Sequence, residues 1–214
     1  MTIRQFESYV TTVRQLLSEP LPGIEAHLVM APEGRIGKDY DPQPKNARRG
    51  SVLLLLYPAE GGPTIPLIKR REGPSVHSGQ IGLPGGAHEA PEVFPVDTAL
   101  RETEEEIGIP ARKVEVLGAL SPLYIPPSNF SITPVVGALR ESRPGFVPEP
   151  GEVAAILPVR VGVLSEGRRI ANFLGSRGAV VAPCYQVGKE LVWGATAMIL
   201  SEYFTVHIQI LKAY

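Results

Sequence analysis

Residues Arg101 to Ile109 read Arg-Glu-Thr-Glu-Glu-Glu-Ile-Gly-Ile and begin fifteen residues after the pair Gly85-Gly86. In a helix turning about 100° per residue, Glu102, Glu105 and Glu106 share one face, at i, i+3 and i+4. Like charges at that spacing destabilise a helix by about 0.2–0.5 kcal/mol per pair. A chain that gathers three carboxylates there has a use for a cation among them. Oxygen-only ligands select a hard divalent ion, Mg²⁺ or Mn²⁺. Gly85 and Gly86 have no side chains, so the backbone can approach a ligand closely. The Gly86 carbonyl is then a candidate oxygen donor to the same ion.

The order of elements around this run is strand, glycine-rich loop, acidic helix. The helix is expected over Pro95 to Ile107, with Pro95 in its first turn and Gly108 as its C-terminal cap. Val96, Leu100, Thr103 and Ile107 form the opposite stripe, which should face the core. Ahead of it, the apolar run Ser51 to Tyr57 reads as a buried strand. Glu60-Gly61-Gly62-Pro63 turns the chain, and Thr64 to Lys69 returns as the second strand of a hairpin. Residues 71–94 read as a loop. Further strands are expected at 113–119, 131–139 and Val153 to Leu157, and a hairpin at 168–174 and 179–187.

Ile3, Phe6, Val10, Val13 and Leu17 recur at helical spacing, which predicts a first helix over 2–18, stopped by Pro20 and Pro22-Gly23. A last helix is expected over Ala195 to Lys212. Strands flanked by helices, with an antiparallel hairpin, indicate an α/β fold with a mixed sheet. We divide the chain into an N-terminal helix-and-loop extension, 1–50, and a main domain, 51–214.

Composition narrows the function. A chain of 214 residues with 43% apolar and 20% charged content is that of an ordinary globular domain. A net charge of −1 argues against a large nucleic-acid footprint. The longest apolar run, Val52 to Tyr57, is far below the roughly 18–20 residues that span a bilayer, so no membrane partner is expected. One cysteine, Cys184, cannot form an internal disulfide. With charged residues at the N-terminus and no signal-peptide pattern, a reducing, cytoplasmic setting is expected.

From Gly86 to Ile109 the chain resembles the Nudix hydrolases. Their box runs Gly, five residues, Glu, seven residues, then Arg-Glu-apolar-x-Glu-Glu-x-Gly-apolar. Gly86, Glu92, Arg101, Glu102, Glu105, Glu106, Gly108 and Ile109 take those places. Two features depart from it: eight residues separate Glu92 from Arg101, and Thr103 stands where an aliphatic is usual. The resemblance implies a Nudix-like α/β/α sandwich. It also implies that Glu102, Glu105 and Glu106 hold Mg²⁺ or Mn²⁺ with help from the Gly86 carbonyl, while Arg101 orients the carboxylates. The general base in such enzymes is a box glutamate or one from a distant loop; Glu149 and Glu152 are candidates, and we take Glu152.

A narrower similarity is to the coenzyme A pyrophosphohydrolase branch of that family. Leu67, Arg70, Gly79, Pro84, Gly85 and Gly86 match its upstream signature, whereas Pro66, Ile68, Arg71, Ser75 and Leu83 depart from it. His77, Gly79 and Gln80, the extra box residue, and Trp193-Gly194-x-Thr196-Ala197 also resemble that branch. This similarity implies that coenzyme A or its thioesters are cleaved to 3′,5′-ADP and 4′-phosphopantetheine or its acyl form. Arg70, Lys69, His77 and Gly85 are then the candidate substrate contacts, although each basic residue also has a plainer reading as a solvated loop or strand end. Two alternatives stand beside it. One is a Nudix hydrolase of ADP-ribose, a dinucleoside polyphosphate or a nucleoside triphosphate; the other is a non-catalytic nucleotide-binding domain. A homodimer is the expectation by analogy.

Overall fold

The computed structural model describes residues 1–35, 40–73, 78–175 and 178–212. The chain opens with helices α1 (Ile3–Leu17) and α2 (Ile24–Met30), followed by strands β1 (Arg48–Ala59), β2 (Gly62–Arg70), β3 (Ile81–Gly82) and β4 (Gly85–Ala87). Helix α3 (Val96–Ile107) carries the acidic run. Strands β5 (Glu115–Ala119), β6 (Leu123–Ile125), β7 (Phe130–Ala138) and β8 (Val153–Arg160) come next, then helix α4 (Val161–Glu166). Strands β9 (Arg168–Gly175), β10 (Gly178–Val187) and β11 (Glu190–Trp193) precede the last helix, α5 (Gly194–Lys212).

The main sheet is mixed, with β3-β2-β1-β7-β5 side by side. Only β1 and β7 run parallel, in register from Arg48↔Phe130 to Leu56↔Ala138. Strand β8 pairs with β2, β6 with β7, and the short β4 with β1. Strands β9, β10 and β11 form a separate antiparallel sheet.

The unbroken apolar run of β1 is explained by burial on both faces. Leu53, Leu55 and Tyr57 pack with Ala99, Ile107 and Val135 beneath α3. Leu54 and Leu56 point the other way, to a larger cluster with Phe6 and Val13 of α1 and Leu200 and Tyr203 of α5. The result is an α/β/α sandwich, and α1 is part of its core. Two buried polar contacts fix the terminal helices to one another. The Tyr9 hydroxyl lies 2.7 Å from that of Tyr203 and 2.8 Å from His207 Nδ1.

Several elements differ from the sequence expectation. Helix α2, strands β3 and β4 inside the expected 71–94 loop, strand β6 inside the Pro122–Ser128 segment, helix α4 and strand β11 were not expected; each is too short to show a period. Strand β1 begins at Arg48 rather than Ser51, inside the expected loop. Pro95 caps α3 rather than opening its first turn. The largest difference concerns the faces of α3. Its buried residues are Thr98, Ala99, Thr103, Glu106 and Ile107, whereas Val96 and Leu100 are only half-buried. The carboxylate face and the core face therefore overlap at Glu106, because a partner for its charge lies inside the fold.

Candidate active site

Three elements converge at the glycine pair. Strand β1 lies beside β4, with Ser51↔Gly86 and Val52↔Gly85 in register. Helix α3 packs over that strand pair. At Gly86 a Cβ would sit 2.2 Å from Glu102 Oε1, so only glycine leaves room for this carboxylate against the backbone. At the far end of α3, Gly108 adopts the left-handed conformation, φ 72°, that ends the helix.

Glu106 is the buried member of the acidic set, at 2% exposure. Its Oε1 accepts from Arg70 Nη1 at 3.0 Å, and its Oε2 from the Gly85 amide at 2.8 Å. Arg70 Nη2 also donates to the Gly85 carbonyl at 3.0 Å. Arg70 and Gly85 are thus engaged with the carboxylate cluster itself. Burial pushes the Glu106 carboxyl up to about 7; Arg70 and the Gly85 amide oppose that rise, and the charges of Glu102 and Glu152 add to it. Glu102 is also raised, by burial first, with Arg101 opposing and Glu105 and Glu152 adding. Glu152, just ahead of β8, therefore lies within electrostatic range of both Glu102 and Glu106.

Arg101 is the organiser on the exposed side. It donates to Glu92 through Nε, to Glu105 Oε2 at 2.7 Å, to the Ala87 carbonyl at 2.9 Å and to Glu102 Oε1 at 3.0 Å. The extra residue between Glu92 and Arg101 does not separate them. Partial burial pushes the Glu92 carboxyl up, but hydrogen bonds from Thr98 and Arg101 outweigh it and hold the group at about 2. The extra turn of loop is anchored in part by Arg49, whose guanidinium lies 3.8 Å from the centre of the Phe94 ring.

The other sequence candidates fall elsewhere. Lys69 Nζ pairs with Glu190 Oε1 at 2.6 Å, on β11. Glu149 is committed to the turn ahead of β8, where its Oε2 accepts from the Glu152 amide at 2.8 Å. His77 and Ser75 lie outside the described residues. Glu105 is the exposed member of the set, its side chain 56% accessible.

Among the described residues, no three acidic, imidazole or thiol groups as placed enclose a metal ion. Arg101 and Arg70 occupy the carboxylate oxygens instead. The donor set nevertheless fits a divalent cation. Burial and the charges of Glu102 and Glu152 oppose the ionisation of Glu106, and burial and the charges of Glu105 and Glu152 oppose that of Glu102, so Arg70 and Arg101 do not fully compensate the pair. Hard oxygen donors, with a backbone carbonyl beside them, are those that Mg²⁺ and Mn²⁺ take.

Beside this cluster opens a cleft of about 560 Å³. Arg70, Gly85 and Gly86 form one end of it, and Val52, Ile125, Phe130 and Trp193 are among its apolar walls. Trp193 stacks on Phe173 with ring centres 4.4 Å apart and planes 11° from parallel, which stiffens that wall. The residues of this wall come from β1, β7, the 122–128 segment, the second sheet and α5, and the sequence marked only the Trp193-Gly194-x-Thr196-Ala197 run among them. Arg35, from the loop after α2, also lines the cleft, and nothing in its sequence neighbourhood marks it.

This combination of fold and site defines a hydrolase of the Nudix type. The NUDIX domain model matches residues 47–160, more than half of the chain. The uncharacterized Nudix hydrolase NudL of Photorhabdus laumondii is 36% identical over 174 residues, covering 75% of this chain and 88% of that protein. Nudix hydrolase 15, mitochondrial, of Arabidopsis thaliana is 33% identical over 168 residues, covering 75% of this chain. The aligned segment spans only 59% of that plant protein's length. The crystal structure of the M. smegmatis Nudix hydrolase RenU superimposes with a TM-score of 0.53 at 17% identity, over 86% of this chain and 95% of that one. The chain belongs to the Nudix hydrolase family. Enzymes of that family use divalent metal ions, and no helix among the described residues is long and apolar enough to cross a membrane.

Proposed function

We propose that the protein is a metal-dependent pyrophosphohydrolase that cleaves the diphosphate of coenzyme A or its thioesters. The observation that carries the reaction type is the convergence of Glu102, Glu106 and Glu152 beside the Gly85–Gly86 backbone, at the end of a deep cleft. The substrate class rests on the upstream signature, Leu67 to Gly86, and on the apolar lining of that cleft, which suits a long, weakly polar substituent. We assign Glu102, Glu105, Glu106 and the Gly86 carbonyl as the groups that would hold Mg²⁺ or Mn²⁺. When bound, these ions would neutralise the diphosphate and acidify the attacking water.

The chain's own groups do the rest. Arg101 keeps Glu102 and Glu105 aligned through its fan of donors. Arg70 fixes Glu106 against the glycine loop. Glu152 lies on the solvent side of the cluster, in reach of a water near Glu102, and takes the proton as that water adds to phosphorus. The bond from that phosphorus to the bridging oxygen breaks, and the leaving phosphate departs with the electron pair. The apolar lining of the cleft limits the access of competing water to the bound substrate. Residues 1–50 act as an extension that completes this cleft through Arg35 and Pro32. The free, buried Cys184 supports a reducing compartment such as the cytoplasm.

A substrate panel tests this reading. With Mg²⁺ or Mn²⁺, coenzyme A is expected to yield 3′,5′-ADP and 4′-phosphopantetheine. Turnover of ADP-ribose, a dinucleoside polyphosphate or a nucleoside triphosphate without turnover of coenzyme A would move the assignment to another diphosphate. Binding without turnover of any of them would make this a nucleotide-binding domain.

A further inference from the structure

The cleft has a second charged wall, away from the carboxylates. Arg35 Nη2 donates to the Tyr124 carbonyl at 3.3 Å, but its Nε is buried and has no hydrogen-bond partner. It is the one buried side-chain donor left unpartnered among the described residues. Its polar neighbours are the uncharged Tyr40 and Tyr124 hydroxyls rather than a carboxylate, and burial pushes the guanidinium below its usual range. Tyr40 is held in place as the acceptor of the Tyr124 amide at 2.8 Å. Glu33, two residues back, lies at the cleft edge and is exposed. Arg48, stacked 4.2 Å from the centre of the cleft-lining Phe130 ring, places a second positive charge beside that residue.

A desolvated cation without a counter-ion costs free energy, more than a neutral donor would. A guanidinium presents a fork of donors suited to two oxygens of one anion. Because no anion is supplied by the described residues, the cation is completed by a ligand. Its position limits which one. Tyr124 is in register with Ser131, and Ser131 with Arg49, whose strand borders β4. Three strand spacings, with a two-residue offset along the strands from Arg49 to Ser51, the partner of Gly86, separate Arg35's anchor from the glycine loop, about 16 Å. Less the reach of a metal-bound diphosphate and of an arginine contact, this leaves a gap of about one sugar.

We propose that Arg35 grips a second phosphate of the substrate, a phosphomonoester carried about one sugar away from the diphosphate. This deepens the diphosphatase reading, and it selects within it: a substrate with an extra phosphomonoester is preferred over one with the diphosphate alone. The site is new in that it lies in the N-terminal loop, outside the carboxylate cluster and the glycine loop.

The direct test is metal-free calorimetry on the full chain, with 3′,5′-ADP and 5′-AMP as probes. The wild type is expected to bind 3′,5′-ADP at least about tenfold more tightly than 5′-AMP, as a charge-assisted bidentate contact would give. Arg35→Met is expected to bring the two affinities together, and Arg35→Lys to keep part of the difference. A melting temperature close to wild type confirms that Arg35→Met is folded. Equal affinities in the wild type, no binding of either probe, or an unchanged ratio in Arg35→Met would each overturn the proposal. Kinetics separate it from the reading it builds on. Arg35→Met should raise KM for coenzyme A and not for 3′-dephospho-coenzyme A, with kcat nearly unchanged. If neither compound is hydrolysed but the calorimetric ratio holds, the coenzyme A reading fails and the second phosphate site stands.

Discussion

Two buried glutamates on helices that cover opposite faces of the main sheet behave in opposite ways. Glu202 of α5 is fully buried, and Glu106 of α3 is 2% exposed. Burial pushes both carboxyls up. At Glu202, His27 Nε2 at 3.1 Å and the amides of Ser121 at 3.1 Å and Gly23 at 3.0 Å outweigh it, and the group is held below its ordinary value. At Glu106, Arg70 and one amide are opposed by Glu102 and Glu152, and the group rises to about 7. The first is a finished structural contact that ties α2, α5 and the segment before β6 together. The second is an unfinished one, and a buried charge that the protein leaves under-compensated marks a place for something else to bind.

That contrast requires the same conservative change at the two positions to fail differently. Glu106→Gln is expected to lower turnover by about 10³-fold while far-UV circular dichroism stays native, because electrostatic groups at a reacting centre carry losses of that size. A loss of fold instead, with activity per folded molecule intact, would erase the distinction. Glu202→Gln should do the reverse. Removing a buried carboxylate charge that accepts several hydrogen bonds costs about 3 kcal/mol, a fall in Tm of about 6–12 °C for a chain of this size. Turnover per folded molecule should stay within about twofold of wild type.

Glu152→Gln sharpens the first half of the contrast. If Glu152 accepts the proton, kcat falls by about 10² while KM moves little; a rise in KM with kcat intact would make it a binding residue instead. The acid side of the stability profile sharpens the second half. The Glu202 carboxyl is held below its ordinary value of 4.5 in the folded chain. Its contribution is therefore complete above the unfolded value and is lost as pH falls through the folded one. Urea midpoints for the wild type should drop steeply from about pH 5 to 3, and Glu202→Gln should flatten part of that slope. Glu92 and Glu115, also held low, account for the part that remains.

Much of the reaction half was legible in the chain, because its signals are local. The i, i+3, i+4 spacing placed Glu102, Glu105 and Glu106 on one helix, and Gly108 ended it where expected. The apolar run of β1 announced a buried strand. The burial of Glu106 was not legible, since it depends on Arg70 reaching across from β2. The cleft walls were not legible either. Trp193 stacks on Phe173 only through the pairing of β9, β10 and β11, and Arg35 meets Tyr124 across 89 positions of chain. No period or spacing carries such contacts. The similarity to Nudix hydrolases reached the chemistry, but the residues that select a substrate are assembled by tertiary packing.

The central claim is that the Glu106 cluster is completed by a divalent cation and the Glu202 cluster is complete without one. Calorimetric titration of Mn²⁺ into wild type, Glu106→Gln and Glu202→Gln tests it most directly. The account predicts binding to the wild type and to Glu202→Gln with similar affinity, and a loss of at least about tenfold in Glu106→Gln. Equal Mn²⁺ affinity in all three proteins, or none in the wild type, would contradict it.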